Sequence, residues 1–68
     1  MKNHIERNPA IMGGCWVVRG GRVPLRFLSG YHRKGMSFKD ISMIMYPHLS
    51  PETLENAVRE YREIYPAG

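Results

Sequence analysis

The sequence of 68 residues has a single cysteine and no long apolar segment, and both shortages exclude classes of protein. Because Cys15 has no second cysteine to pair with, no disulfide within the chain stabilises its core. No window reaches the ~18 apolar residues of a membrane-spanning helix, and no apolar run follows the charged N-terminus as in a secretory signal. We therefore expect a protein of the reducing cytoplasm without a membrane partner.

Residues that could hold a metal or perform chemistry are also few. Cys15 and the three histidines are spread along the chain without the CxxC or HxxxH spacing of zinc sites. The pairs Gly13-Gly14 and Gly20-Gly21 lack the GxGxxG and GxxxxGK[ST] patterns of phosphate loops, and Cys15 has no histidine near it in sequence. We therefore predict no metal, no cofactor and no enzymatic activity.

The short length itself limits the core. A chain of this size buries only about 60% of its unfolded surface, so small domains usually rely on a disulfide, a metal or an oligomer. Since the first two have little support in this sequence, we expect a homodimer.

The charge is strongly uneven along the chain. Residues 1–39 contain eight basic residues against one acidic residue, a net charge of +7, whereas residues 40–68 contain two against five, a net charge of −3. A basic surface attracts phosphate and releases counterions on binding. The first half is therefore the expected site of nucleic-acid contact, and a merely solvated surface is the alternative.

A short β-hairpin is predicted over residues 14–24. Trp16, Val17 and Val18 favour a strand, and Gly20-Gly21 offers the positive φ angles of a two-residue turn before a short return strand. The edge of so small a hairpin would be open, and it could pair with a second chain.

Three helices are predicted downstream, over residues 24–34, 37–46 and 51–65. Ser37 and Ser50 are the expected caps of the second and third helices. The apolar stripe of the second helix comprises Phe38, Ile41, Ile44 and Met45. Together with an ordered arm over residues 1–13, the hairpin and the helices form a single domain, because no helical stripe is buried alone.

Several short motifs follow one another from Ile5 to about Tyr65. In chain order they are Asn8-Pro9, Gly13-Gly14, Arg19-Gly20-Gly21-Arg22-Val23-Pro24-Leu25, Gly35-Met36-Ser37, Asp40-Ile41, Tyr46-Pro47-His48-Leu49-Ser50, Leu54 and Ala57. In this order and spacing they resemble domain-of-unknown-function family 433, small bacterial and archaeal proteins often described as antitoxins. The family usually has threonine at the position of Gly21, so the hairpin turn is expected to be looser here.

The resemblance implies a fold and a function. The fold is mainly α, a three-helix homeodomain-like helix-turn-helix bundle over residues 24–65 preceded by the short β-hairpin. The function is that of an antitoxin that neutralises a toxin with a PIN-type ribonuclease fold, binds operator DNA and represses its own operon.

In a helix-turn-helix the second helix of the motif, here the third helix of the chain, normally enters the major groove, and Asn56 and Arg59 could read bases from it. Its acidic residues conflict with that role. Its outward positions near the N-terminus include Glu52 and Glu55, which phosphates would repel. We therefore assign phosphate contact to six basic residues elsewhere: Arg19, Arg22, Arg26, Arg33, Lys34 and Lys39.

A protein interface is the second expected site. Aromatic residues dominate the energetics of interfaces, and strand edges pair with other strands. The candidate residues for a dimer or partner contact are Trp16, Val17, Val18 and Tyr46, although burial in the chain's own core is as plausible for Trp16. The alternative function is a dimeric protein-interaction module without DNA binding, which the acidic third helix favours.

Overall fold

The computed structural model describes residues 3–7, 9–10, 12–21 and 23–66. Its elements, in chain order, are strand β1 (Ile5–Arg7), a 3-10 turn (Met12–Gly14), strand β2 (Trp16–Val18), helix α1 (Leu25–Arg33), helix α2 (Phe38–Asp40), a π-helical segment (Ile41–Met45) and helix α3 (Pro51–Ile64). The fold is mainly helical with a short antiparallel sheet near its N-terminus. With α2 and the π-helical segment taken together as the second helix, each predicted helix bound lies within one residue of these.

The sheet pairs β2 with the N-terminal arm rather than with a return strand. β1 and β2 are antiparallel, and Ile5 lies opposite Val18. The chain turns here one residue earlier than predicted: the Gly21 N–H donates to the Val18 carbonyl at 3.0 Å, so Arg19 and Gly20 are the central residues of the turn, and of the two glycines only Gly20 has a positive φ, 78°. Beyond the turn, the chain forms a bridge between Val17 and Pro24 instead of a return strand, because proline has no N–H to extend a ladder.

This arrangement corrects the expectation that β2 offers an open edge to a second chain. β1 covers one side of β2, and the segment that contains Val23 and Pro24 covers the other. Val17 and Val18 are fully buried inside the chain. Pairing of β2 with another molecule would first require the sheet to come apart.

Gly21 has a packing role rather than a conformational one. Its φ is not positive, and a Cβ atom at this position would lie 2.9 Å from Cδ1 of Leu49. Glycine therefore lets the Leu49 side chain pack against the turn, at a position where the family usually has threonine.

One core joins the sheet to the helices. Its fully or nearly fully buried residues come from both strands, from the segment before α1 and from every helical segment except α2: Ile5, Val18, Val23, Leu25, Leu28, Ile41, Leu54, Ala57 and Val58. The arm is also tied to α3 by polar contacts, because Glu60 accepts the backbone N–H groups of Asn3 and His4 at 2.9 Å each and pairs with the His4 ring.

The predicted second helix consists of α2 and the π-helical segment that continues it, so its pitch changes after Asp40. It begins as predicted, with the Ser37 hydroxyl accepting the Asp40 N–H at 3.1 Å. It then widens into a π-helical turn, which the Tyr46 N–H closes by donating to the Ile41 carbonyl five residues back, at 3.1 Å. The wider turn brings Tyr46 against the core.

The predicted apolar stripe of this helix is consequently wrong at two of its four positions. Ile41 is fully buried and Phe38 is half-buried against the core, as expected. Ile44 is 69% exposed and Met45 39% exposed, because the extra residue in the π-helical turn rotates them away from the core. Ser42 is buried instead, and its hydroxyl donates to the Leu49 carbonyl.

Candidate nucleic-acid interface

Helix α1 presents a basic face to solvent. Leu25, Leu28 and Ser29 point into the protein, and the charged residues occupy positions on the opposite face. Arg26, Arg33 and Lys34 are all exposed there. The last two stand at the C-terminal end of the helix, where the helix dipole favours positive charge.

Three shallow depressions meet at Arg26. The first, of about 220 Å³, lies between the sheet and the end of α3, and its lining includes Arg7, Trp16, Tyr61 and Tyr65. The second, of about 200 Å³, extends along α1 past Gly30 to Arg33. The third, of about 280 Å³, passes Phe27 and Gly30 to Lys34. We call this region the Arg26 surface and define it by its cations and aromatic rings: Arg7, Arg26, Arg33, Lys34, Trp16, Phe27, Tyr31, Tyr61 and Tyr65.

The charge of this surface has one sign. Four cations line the three depressions, and no carboxylate is among the lining residues that the structure describes. Gly30 has no side chain to fill the space between Arg26, Arg33 and Lys34. That space is open, since a Cβ atom at its position would have nothing within 4 Å. An anion can therefore approach the backbone of α1 between the three cationic side chains.

Aromatic rings support two of the four cations. The Arg7 guanidinium lies 5.7 Å from the centre of the Trp16 ring, and the Arg26 guanidinium lies 5.2 Å from that of Phe27. Such cation–π contacts restrict the side chains while leaving guanidinium N–H groups available to a ligand. Tyr61 and Tyr65 form a tilted pair with centroids 5.2 Å apart, beside the first depression.

The structure brings together only part of the predicted DNA-binding set. Arg26, Arg33 and Lys34 share one surface, whereas Arg19 and Lys39 are exposed but line none of the three depressions. The Arg19 side chain donates to the Ile5 carbonyl at 3.3 Å. Arg22 lies outside the described residues.

Arg7 is a member of the surface that sequence reasoning missed. The sequence predicts an ordered arm but gives no partner for it. In the structure Ile5 is buried, Glu6 half-buried and Arg7 exposed, which is a gradient of burial and not the two-residue alternation typical of a strand. Three residues therefore gave no usable sequence signal, and the position of Arg7 follows only from the pairing of β1 with β2.

On the exposed side of α3, neighbouring polar and charged side chains contact one another. Arg59 donates to the Asn56 side chain at 3.0 Å and lies 3.7 Å from the Glu55 carboxylate. A fourth depression on this side, between α3 and the His32–Phe38 stack, is lined by Arg59 and Arg62 as well as by Glu55. That α3 contacts phosphates poorly stays a prediction.

The four predicted interface residues are buried or half-buried within the protein itself. Val17 and Val18 are core residues, and Trp16 and Tyr46 are half-buried against the core. Burial, followed by the neighbouring Tyr31 hydroxyl and its hydrogen bond, raises the pKa of the Tyr46 phenol above its usual value.

Exposed apolar side chains occur elsewhere. The most exposed ones are Met43 and Ile44, 66% and 69% exposed, with Met45 beside them on the π-helical segment. Sequence reasoning missed this patch because it assumed a regular α-helix, in which Ile44 and Met45 would face inward.

Two further properties bear on function. Among residues 3–7, 9–10, 12–21 and 23–66, no three histidine, cysteine, aspartate or glutamate side chains come close enough to hold a metal ion. No helix of the same residues has the length and apolarity to cross a membrane.

Comparison with known proteins gives two similarities. The sequence profile described as "Protein of unknown function (DUF433)" matches residues 5–61. The crystal structure of a DUF433 member protein from Anabaena variabilis is similar to this chain, with a TM-score of 0.78 and 32% sequence identity. The similarity covers 97% of this chain and 63% of that protein, so the chain spans less than two thirds of its relative. No curated protein matches the chain.

Proposed function

The chain belongs to the DUF433 family, whose function is unknown, and we propose that it is a non-enzymatic DNA-binding regulator that holds the phosphate backbone on its Arg26 surface. The observation that carries the proposal is the convergence of four cations around Gly30 and Trp16 without a carboxylate among the described lining residues. Surfaces of this kind supply the sequence-independent part of DNA affinity.

In this proposal the three helices act as a homeodomain-like helix-turn-helix. α1 and β1 face the phosphates, and the mixed charge of α3 limits its part in base reading. Because proteins of this family are often described as antitoxins, we further propose a cytoplasmic homodimer that binds operator DNA, represses its own operon and neutralises a PIN-type ribonuclease toxin.

The test is the salt dependence of DNA binding, measured by fluorescence anisotropy on labelled duplex DNA. If each of the four cations of a protomer neutralises one phosphate, log Kd should change with log salt with a slope of about 3.6 per bound protomer, at about 0.9 per phosphate. Arg26→Gln and Lys34→Gln should each lower that slope by about 0.9 per bound protomer. Arg59→Gln is the matched control, since it removes the same charge from α3 and should leave the slope unchanged.

Two results would contradict the proposal. One is the absence of binding to any duplex at low salt. The other is an equal loss of affinity in Arg59→Gln and Arg26→Gln, which would mean that net charge rather than the Arg26 surface attracts DNA.

The second candidate function is a dimeric protein-interaction module that does not bind DNA. It is favoured by the exposed patch of Met43, Ile44 and Met45, since consecutive exposed apolar residues mark contact surfaces. The DNA titration described above distinguishes the two candidates, and purification of the tagged protein from its native host tests the protein partner. A stoichiometric ribonuclease that this chain inhibits, and that Ile44→Lys releases, would support the antitoxin function. A protein that purifies alone would argue against the toxin pairing.

A further inference from the structure

The depression between the sheet and the end of α3 differs from the rest of the Arg26 surface. It is lined by two guanidinium groups and three aromatic rings, together with Gly14 and Cys15. Its volume of about 220 Å³ is smaller than the roughly 300–1,000 Å³ of pockets for drug-sized ligands. A single planar group with an adjacent anion suits this space and lining better than a larger molecule.

The tryptophan in this depression has an unsatisfied donor. The Trp16 indole N–H is covered, and it has no hydrogen-bond partner among the residues that the structure describes. Covered polar groups in folded proteins nearly always have a partner, so a donor that the chain leaves unpaired is suited to an acceptor on a bound molecule. The Arg7 side chain, which is exposed and lies over the Trp16 ring, can move aside to admit a planar ligand.

The chemistry of the lining selects the ligand. Rings of Trp16, Tyr61 and Tyr65 offer faces for stacking, and Arg7 and Arg26 offer donors to an anion. A nucleobase with its flanking phosphate combines both features. Stacking platforms beside a cationic track are the general means by which proteins hold single-stranded nucleic acid.

We propose that this depression binds one unstacked nucleobase of a single-stranded segment, with Arg7 and Arg26 on the flanking phosphate. The inference rests on the proposed function, because Arg26 belongs to both. The cations continue past the depression to Arg33 and Lys34, which gives neighbouring phosphates of the same strand a place to bind. The ligand is therefore a polynucleotide strand rather than a free nucleotide.

Trp16 is the only tryptophan of the chain, so its fluorescence reports directly on the site. The probes are an oligothymidylate, an abasic oligomer of the same length and charge, thymidine monophosphate and a blunt duplex. We expect the oligothymidylate to quench the emission and to bind about tenfold more tightly than the abasic oligomer, a difference of about 1.4 kcal/mol. The abasic oligomer and the duplex should bind through phosphates and leave the emission unchanged.

Tyr65 provides the matched variants, because it follows α3 and is 43% exposed, so its replacement disturbs the core little. Tyr65→Leu should lower the affinity for oligothymidylate about tenfold without changing the affinity for the abasic oligomer. Tyr65→Phe should bind both oligomers with the affinity of the parent. Anisotropy of labelled oligomers measures affinity independently of the fluorescence of Trp16.

The outcomes separate the two proposals. Equal affinity for both oligomers with unchanged Trp16 emission would overturn the nucleobase site and leave the phosphate surface standing. Binding of thymidine monophosphate as tightly as the oligomer would overturn the assignment to a strand. Failure of every oligomer and duplex to bind would overturn this inference together with the proposed function.

Discussion

Glu60 should be one of the most sensitive positions for stability, because it ties the N-terminal arm to α3 by polar contacts. One oxygen accepts the N–H groups of Asn3 and His4, and the other pairs with the His4 ring. These contacts fix the residues immediately before Ile5, which is 1% exposed in the core. Glu60→Ala should therefore weaken both the arm and the packing of β1.

The expected cost follows from the number and exposure of these bonds. A hydrogen bond to a charged group contributes about 1.5–3 kcal/mol in a favourable setting. Because the Asn3 contact is exposed and the His4 ring is 37% exposed, we expect about 2 kcal/mol in total for Glu60→Ala. A domain of this size has a free energy of unfolding of about 3–10 kcal/mol, so the loss is a large fraction. It corresponds to a fall in Tm of about 8–16 °C.

The same contact predicts a pH dependence. Burial raises the pKa of Glu60, but the hydrogen bonds from the His4 backbone and ring, the charge of His4 and the Asn3 N–H together bring it below the usual 4.5. A carboxylate with a lowered folded-state pKa stabilises the fold above its unfolded pKa, and that contribution disappears as the pH falls through the folded-state pKa. The free energy of unfolding of the parent should therefore decline below about pH 5.

Glu60→Gln is the control for this prediction. It keeps an acceptor for the two backbone N–H groups but has no charge to titrate, so it should lack this part of the decline. The free energy of unfolding of both proteins is measured by urea denaturation, monitored by circular dichroism, at neutral pH and at about pH 3. A stability difference between the two proteins that is the same at both pH values would refute the role given to the Glu60 charge.

The remaining predictions concern the second and third helices and use urea unfolding as the common measurement. Ser42→Ala should cost about 1–3 kcal/mol, because it leaves the Leu49 carbonyl without its partner; a neutral result would show that solvent already reaches that carbonyl. Ser50→Ala should cost about 1 kcal/mol through loss of the cap on the Thr53 N–H. Ile41→Ala should cost about 2–5 kcal/mol, whereas Ile44→Ala should stay within about 0.5 kcal/mol. Similar costs for the two isoleucines would contradict the π-helical register.

The features that local sequence determines were predictable. Ser37 and Ser50 cap their helices as expected, because a serine hydroxyl satisfies a free N–H of the first turn whatever the tertiary surroundings. The turn at Gly20 has its positive φ for a similarly local reason. The three helices and the short sheet followed from these signals and from the spacing of apolar residues.

Features that depend on contacts between distant residues were not predictable in the same way. The partner of β2 is the N-terminal arm, with Ile5 opposite Val18, and nothing in a three-residue strand specifies that choice. The π-helical turn is set by the burial of Ser42 and Tyr46 against Leu49 and the core, which local periodicity does not report. The exposure of Ile44 follows from that turn.

The charge asymmetry of the sequence was informative, but its meaning came only from the fold. In α3 the residues Leu54, Ala57 and Val58 fill the core, and Arg59 is held by Glu55 and Asn56 on the opposite side. The positive charge of Arg59 is thus satisfied within the helix itself.

In α1 the cations project around Gly30, and pairing with β2 adds Arg7 from the arm to the same side. Charges that are scattered from position 7 to position 34 in sequence thereby lie on one surface. A helix-turn-helix that uses this face would orient its first helix and its sheet toward the phosphates. Removal of Arg7 should then weaken binding about as much as removal of Arg26, although the two lie in different elements.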